Sequence, residues 1–260
     1  MKLLVKGESL KRWLDFLLAM TEKEIKARYK HAVLGFLWVF LNPVLQMAVI
    51  GLVFQFFVPV EVDNYFLFLI SGLLPWNFFS MTVTKTTPMY FYERALLQKA
   101  KFPREAIVLS IVLSNLFHFL ASLMLLLPFS FIFYGLGLAF LPWILLGTLW
   151  MVVLTAFLSL LLSTWNVQFR DMAFIVQAVM PLWFYLTPVI YNLELVPEQW
   201  RSYFYVNPMV PIIELFRAAL IRQPVVFGSS VIISLAATSF IVFLAIVEFR
   251  KRSPNFDDWM

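Results

Sequence analysis

The chain has 260 residues, of which 62% are hydrophobic and 13% are charged, and its formal net charge is +5. Soluble domains carry about 25% charged residues, so this composition excludes a soluble globular protein and indicates an integral membrane protein. The chain contains no cysteine, which excludes a disulfide framework, a thiolate metal site and a cysteine nucleophile. Its two histidines, His31 and His118, lie too far apart to predict a ligand pair, and we expect no metal site.

The N-terminal region, residues 1–30, is predicted to lie at the membrane interface. Within residues 9–20, leucines and Trp13 share one helical face and charged side chains share the other, which is typical of a helix lying in the plane of the headgroups. Thr21 and Glu24 have the spacing of a capping box, so a second helix can start there. One continuous helix is the alternative.

Six long apolar stretches are predicted to cross the membrane, which makes the fold class all-α. Each has at least 20 residues, enough at about 1.5 Å per residue to cross a hydrocarbon core of about 30 Å. Prolines predict kinks or breaks at Pro43, Pro75, Pro181 and Pro188. The predicted spans are residues 31–60, 64–84, 106–134, 142–165, 172–191 and 225–247.

The distribution of Lys and Arg predicts the orientation of these spans. If the N-terminus is cytoplasmic, 17 of the 20 Lys and Arg residues fall in cytoplasmic segments and three fall outside. Because cytoplasmic loops are enriched in Lys and Arg, we expect both termini to be cytoplasmic. The positive net charge is explained by membrane orientation better than by nucleic-acid binding.

Residues 85–105 form a basic insert between two apolar stretches, and they are predicted to be cytoplasmic. Residues 92–100 lack Gly and Pro and predict a short helix, with Leu96 and Leu97 on one side and Arg94 roughly opposite. The pattern fits a solvated loop helix. A docking helix that receives force from a soluble partner is the alternative.

Residues 192–224 form the one long external segment. It is too interrupted to form a continuous membrane span and too apolar to be an ordinary solvated loop. Two half-helices that dip back into the membrane fit this pattern, and two helices lying flat on the outer surface are the alternative. Glu214 and Arg217 are three residues apart and are predicted to pair on one helical face. The predicted gate residues are Trp200, Tyr203, Phe204, Tyr205, Glu214 and Arg217.

The sequence shows no catalytic motif. No two of its eight glycines are five residues apart, so it cannot contain a Gly-x4-Gly-Lys phosphate loop and is not expected to bind ATP by that route. Glu194 and Glu198 could imitate a catalytic carboxylate pair, but acids on an external loop are far more often solvated.

Aromatic and polar residues inside the spans suggest two further roles. Asn115 and His118 are predicted to form interhelical hydrogen bonds rather than to bind a ligand. Some aromatic side chains could stack on sugar rings, because the apolar face of a sugar packs well on an aromatic plane. The candidates for stacking are Trp38, Trp76, Trp150, Trp183 and Tyr185.

Four stretches together resemble one family. They are EIKARYKHAVLGFLWVFLNPVLQ (residues 24–46), SGLLPWNFFS (71–80), KAKFPREAIVLS (99–110) and the long run FRDMAFIVQAVMPLWFYLTPVIYNLELVPEQWRSYFYVNPMVPIIELFRAAL (169–220). The chain resembles the membrane permease subunits of ABC exporters for polysaccharides and polyol phosphates, which include O-antigen and teichoic acid permeases. The resemblance covers nearly the whole chain, in order.

This resemblance implies six spans, a homodimer that forms one channel, and a separate cytoplasmic ATPase subunit that holds ATP and Mg²⁺. It also implies that residues 85–105 contain a coupling helix and that residues 192–224 re-enter the membrane as an external gate. The residues expected to couple to the ATPase are Glu93, Arg94, Leu97, Lys99 and Lys101.

The function expected from these features is export of a lipid-linked polysaccharide of the O-antigen type across the bacterial cytoplasmic membrane, as part of lipopolysaccharide biosynthesis. The chain itself is expected to be a transport subunit with no cofactor of its own and no catalytic residue. Two alternatives are a permease for small molecules or drugs with the same architecture, and an integral membrane enzyme that modifies glycans.

Overall fold

The computed structural model describes residues 7–30, 33–57, 64–99, 103–135, 140–224 and 228–256, and within these ranges the chain forms helices and no strand. The predicted all-α class is confirmed. The helices are α1 (Gly7–Tyr29), α2 (Trp38–Phe57), α3 (Tyr65–Thr86), α4 (Met89–Tyr92), α5 (Arg94–Lys99), α6 (Glu105–Tyr134), α7 (Leu141–Gln168), α8 (Met172–Tyr185), α9 (Glu198–Phe204), α10 (Met209–Ile221) and α11 (Ser229–Arg252).

Five helical segments of the described chain are long and apolar enough to cross a membrane. They are Gly35–Val53, Tyr65–Thr86, Glu105–Tyr134, Leu141–Gln168 and Val231–Asn255. A sixth candidate is the bent pair of α9 and α10, whose axes differ by 100°.

The predicted fifth span, residues 172–191, is helical only as far as Tyr185, so α8 has 14 residues. The helix ends ahead of Pro188, because a proline disfavours the helical conformation of the residue before it and cannot donate a backbone hydrogen bond.

Helix α1 is continuous, so the alternative of one N-terminal helix is correct. Thr21 does not cap a new helix. Its hydroxyl donates instead to the carbonyl oxygen of Leu17 at 2.8 Å, one turn earlier in the same helix.

Three of the four prolines at which the sequence predicted kinks or breaks do not end a helix. Pro43 lies inside α2, Pro75 inside α3 and Pro181 inside α8. A proline removes one backbone donor, and packing against neighbouring helices allows a membrane helix to continue across it. The irregularity in the first span lies earlier, in a 3₁₀ turn at Gly35–Leu37, where Gly35 has a φ of +49°.

Residues in the left-handed conformation mark three helix boundaries. Asn64 precedes α3, Gly135 follows α6, and Arg222 follows α10, with φ angles of 52°, 62° and 56°. A left-handed residue after the last turn stops a helix by redirecting the chain. The Arg222 guanidinium also donates to the carbonyl oxygen of Gly135, so the ends of α6 and α10 are fastened to each other.

Helix α3 lies at the centre of the bundle and packs against α2, α6, α7, α8 and α10. Phe68, Leu69, Phe79 and Val83 on this helix are at most 1% exposed. Gly72 permits one close approach, because a Cβ atom there would lie 3.1 Å from the carbonyl oxygen of Val189. The main core is therefore built around the second predicted span.

Candidate functional site

Two short helices, α4 and α5, connect α3 to α6, where the sequence predicted a single helix from residue 92 to 100. They are separated at Glu93. Tyr90 on α4 is fully buried and Leu97 on α5 is 8% exposed, and both pack against the start of α6. Arg94 is exposed. The described part of the predicted coupling segment, residues 85–105, thus has one face anchored on the helical bundle and one face open.

The C-terminal turn supports the coupling segment through Phe256, which is fully buried. Its ring centroid lies 4.9 Å from that of Tyr90, and the guanidinium carbon of Arg104 lies 5.4 Å from the Phe256 ring centroid. The Tyr90 hydroxyl donates to the carbonyl oxygen of Arg104 at 3.2 Å. Burial raises the pKa of this hydroxyl, so Tyr90 stays a neutral donor. The sequence predicted only a basic cytoplasmic tail here.

Helix α1 is joined to the coupling segment by two ion pairs. The Lys23 ammonium lies 2.7 Å from a Glu93 carboxylate oxygen, and the Lys85 ammonium lies 2.5 Å from a Glu24 carboxylate oxygen. The Lys23 side chain is half exposed, so that pair contributes at most about 1 kcal/mol. Glu24 is buried, and loss of its partner would leave a buried charge without compensation.

The predicted coupling residues therefore have different environments. Arg94 is exposed and available to a partner. Glu93 is paired with Lys23, and Leu97 is part of the core, so these two position the segment. The Lys99 side chain and the whole of Lys101 lie outside the described residues.

The external segment is folded around a turn between α9 and α10. Asn207 lies at this turn, where its side-chain oxygen accepts from the Met209 backbone N–H at 3.0 Å and its amide nitrogen donates to the Thr187 hydroxyl at 2.8 Å. Arg201 donates to the carbonyl oxygens of Val196 and Glu194, both at 2.7 Å. Side chains thus satisfy the backbone groups that an interrupted helix leaves open.

Helix α10 is buried against α3 and α7, and Arg217 is the largest fully buried side chain in it. Its guanidinium donates to the carbonyl oxygens of Val189 at 2.9 Å and Tyr191 at 3.5 Å. The guanidinium carbon also lies 3.7 Å from the ring centroid of Phe68 on α3, within the range of a cation–π contact. Arg217 therefore connects α10, the chain after α8, and the central helix.

Glu214 and Arg217, which the sequence predicted to pair, form no direct ion pair and interact only at longer range. Glu214 accepts a hydrogen bond from the Tyr205 hydroxyl at 2.9 Å, while Arg217 takes backbone carbonyl partners. Spacing along the helix permitted the pair, but residues distant in sequence supplied better-placed partners for each side chain.

The aromatic residues predicted to form the gate divide into two groups. Trp200 and Tyr203 are 55% and 66% exposed, and their ring centroids lie 5.6 Å apart. Tyr205 is buried, with its hydroxyl on Glu214, and Phe204 is partly buried beside it. Trp200 and Tyr203 present the free surface of α9, whereas Tyr205 and Phe204 hold the helix pair together.

Two of the five predicted glycan-stacking residues are largely buried. Trp76 is 5% exposed and packs against Phe79 and Phe184. Trp150 is 9% exposed and donates its indole N–H to the Thr238 hydroxyl at 2.9 Å. Both rings are therefore mostly covered by protein, although Trp76 borders a cavity of about 400 Å³ beside α8.

The other three stacking candidates keep some accessible surface. Trp38 is 40% exposed and Tyr185 is 64% exposed. Trp183 is partly buried and makes an edge contact with Phe79.

Asn115 and His118 form interhelical hydrogen bonds, as predicted. The Asn115 amide nitrogen donates to the Thr82 hydroxyl at 2.9 Å, and its oxygen accepts from the Arg28 guanidinium at 2.5 Å. The Tyr29 hydroxyl lies 3.2 Å from Nδ1 of His118. These contacts connect α6 to α3 and to the end of α1, and the partners on α1 had no signal in the sequence.

Comparison with known proteins gives a consistent result over most of the chain. The sequence profile of a family described as ABC-2 type transporter matches residues 16–221. A Klebsiella pneumoniae protein named O-antigen export system permease protein RfbA is 34% identical over 205 residues, which cover 78% of this chain and 79% of that protein.

Two further relatives extend over almost the full length. A Myxococcus xanthus protein named O-antigen export system permease protein RfbA is 34% identical over 257 residues, covering 95% of this chain and 96% of the relative. An Escherichia coli protein named Polysialic acid transport protein KpsM is 22% identical over 242 residues, covering 90% of this chain and 92% of the relative.

Proposed function

The chain belongs to the ABC-2 type transporter family, and from this membership we propose that it is the permease subunit of an ATP-driven exporter of a lipid-linked polysaccharide of the O-antigen type. The observation that carries the proposal is the 34% identity, over 95% of this chain, to a relative named as an O-antigen export permease. The chain is a multi-pass membrane protein, and we place it in the bacterial cytoplasmic membrane with both termini cytoplasmic.

A separate ATPase subunit supplies the energy in this proposal. ATP and Mg²⁺ are held by that subunit, because this chain has no Gly-x4-Gly-Lys sequence. The open face of α5, which carries Arg94, is the proposed docking surface. Buried Leu97 and Phe256 hold this surface against the bundle, so that a push on α5 is passed to α6 and to the end of α11.

A homodimer provides the channel. Among the described residues, the side chains of α3, α7 and α10 fill the centre of one bundle, so a polysaccharide chain does not pass between these three helices. Two copies side by side enclose a passage between them. Helices α9 and α10 close its external end while the exporter is idle, with Trp200 and Tyr203 at the exposed surface of the closure.

Co-purification with the ATPase tests the docking surface. We expect a tagged chain to retain an ABC ATPase together with a bound glycolipid, and we expect Arg94→Glu to lower the yield of the complex. Lys26→Glu is the matched control, because this substitution changes the charge by the same amount at an exposed position of α1. The docking assignment is wrong if Arg94→Glu assembles and exports as well as the Lys26→Glu control.

A further inference from the structure

A cavity of about 650 Å³ lies between the end of α1, the start of α2 and the middle of α3 and α6. This volume falls within the range of about 300–1,000 Å³ that is typical of small-molecule sites. The polar and aromatic residues that line it include Arg28, Trp38, Asn42, Gln46, Asn77 and Asn115. Four of these lining residues, Asn42, Gln46, Asn77 and Asn115, carry carboxamides.

The side chains around the cavity are held in place by one another. Asn115 accepts from Arg28 at 2.5 Å and donates to Thr82 at 2.9 Å, so it fixes the guanidinium at the cavity. Asn77 on α3 donates to Gln46 on α2 at 2.7 Å. Among the described residues that line the cavity there is one cationic side chain and no carboxylate. An anionic group in this cavity would therefore be attracted by Arg28 and would not be repelled by a carboxylate of the lining.

We propose that this cavity binds a sugar phosphate, that is, one sugar ring with a phosphate attached to it. A carboxamide offers both a donor and an acceptor, as recognition of neighbouring sugar hydroxyls requires. Trp38 lines the cavity and is 40% exposed overall, so it offers an aromatic plane for the apolar face of the ring. The Arg28 guanidinium has five N–H groups. Asn115 and the Tyr29 hydroxyl are its partners, which leaves further donors suited to phosphate oxygens.

The assignment deepens the proposed function and rests on it, because it places the phosphate-bearing sugar of the exported glycolipid within one subunit rather than between two. Other aromatic residues are less suited to this role. Trp76 and Trp150 are at most 9% exposed. Trp76, Trp150, Trp183 and Tyr185 are all absent from the lining of this cavity. Trp38 has an exposed ring and polar neighbours together.

Protection of a single cysteine tests the assignment directly, since the chain has no native cysteine. Met81→Cys places a thiol in the cavity lining, and Gln177→Cys, on α8 and outside the cavity, is the matched control. The purified full-length chain is treated with a small thiol reagent, with and without a panel of hexose 1-phosphates. At a ligand concentration of about ten times the dissociation constant, labelling at position 81 should slow about tenfold, and labelling at position 177 should not change.

Two variants and three other ligands separate the sugar phosphate from simpler occupants. Asn77→Leu and Arg28→Gln should each abolish protection by the hexose 1-phosphates while the chain keeps its elution volume and its helical content. Methyl hexosides, inorganic phosphate and vesicles of phosphatidylglycerol should protect at least tenfold less well at equal concentration, because each lacks either the phosphate or the sugar, a difference of about 1.4 kcal/mol.

The proposal is overturned if no hexose 1-phosphate protects position 81. It is also overturned if inorganic phosphate or phosphatidylglycerol protects equally well, since the site would then bind any phosphate, or if both variants keep full protection. Failure of the proposed function has a different signature. In that case, cells without this chain would still display normal surface polysaccharide, whatever the labelling at position 81 shows.

Discussion

At the scale of single residues, Arg217 has the most demanding environment in the described chain. A guanidinium that is 2% exposed loses nearly all of its hydration, and the structure compensates this loss with carbonyl oxygens and with the ring of Phe68. The carbonyl oxygens lie 26 and 28 residues earlier, in the turns that follow α8. Arg217 thereby fixes the external segment to the centre of the bundle.

Replacement of Arg217 tests this role. Arg217→Met removes the donors to Val189 and Tyr191, and each buried carbonyl left without a partner costs about 1–3 kcal/mol. Arg217→Lys should restore little, because an ammonium cannot donate in a planar fork or stack on Phe68. The measurement is the fraction of purified chain that remains monodisperse after heating. Arg201→Met is the control, since its carbonyl partners lie in a more exposed turn. Equal heat stability of the three variants would argue against the role of Arg217.

The partners of single residues show where inference from sequence stops. The sequence predicted that Asn115 and His118 bond between helices, because polar groups at membrane depth need partners. It could not identify Arg28 and Tyr29 as those partners, because they lie more than 80 residues away on another helix. For the same reason it paired Arg217 with Glu214, the nearest acid along the helix, and missed the backbone carbonyl partners.

At the scale of elements, the coupling segment is supported from three sides. Helix α1 forms two ion pairs with it, and α6 contributes the apolar surface on which it packs. Phe256 packs against Tyr90 on the third side. The sequence predicted the helical propensity and the inward face of this segment. It missed the division at Glu93 and the contribution of the C-terminal turn, since both depend on packing across the bundle.

Phe256→Ala should weaken this support. Removal of a fully buried phenyl ring costs about 3–5 kcal/mol where the surroundings cannot collapse. We therefore expect lower heat stability and reduced export, and a much smaller loss for Phe256→Leu. The control is Phe174→Ala, since the Phe174 side chain is 70% exposed on α8. If Phe256→Ala behaves as Phe174→Ala does in both assays, the C-terminal turn does not support the segment.

The external helix pair can be tested without disturbing its internal bonds. Trp200→Ala combined with Tyr203→Ala removes the two exposed rings of α9 and leaves Tyr205 on Glu214. If α9 closes the channel, the reconstituted complex should leak ions in the absence of ATP. Phe174→Ala combined with Ile175→Ala is the control, since both side chains are exposed on α8. If the double variant leaks no more ions than the wild type, the result would favour two helices lying flat on the outer surface.

At the scale of the whole molecule, composition and charge were sufficient for the class of protein and for most of the spans. The long apolar runs predicted both ends of α3, α6 and α7 within about three residues, because a membrane helix must satisfy all of its backbone groups internally. The predicted first and sixth spans began seven and four residues ahead of α2 and α11. The end of α8 at Tyr185 and the 100° bend after α9 were harder to predict from the sequence, because some helices continue through a proline and others end at one.

The predicted orientation can be measured by labelling single cysteines from outside intact cells. Asn64→Cys and Gln199→Cys should react with an impermeant thiol reagent, because both residues are exposed and lie in the proposed external segments. Tyr92→Cys and Ser253→Cys should react only after the cells are opened. Labelling of Tyr92→Cys in intact cells would place the coupling segment on the wrong side for an ATPase.

ATP-driven movement of the glycan tests the central claim most directly. The chain and its ATPase are reconstituted in vesicles with a lipid-linked O-antigen polysaccharide supplied on the ATPase side, and the glycan on the far side is measured with an impermeant lectin. We expect lectin binding to rise with ATP and Mg²⁺, and to stay at background when ATP is replaced by a non-hydrolysable analogue or when this chain is omitted. ATP hydrolysis by a correctly assembled complex with no glycan on the far side would contradict the account.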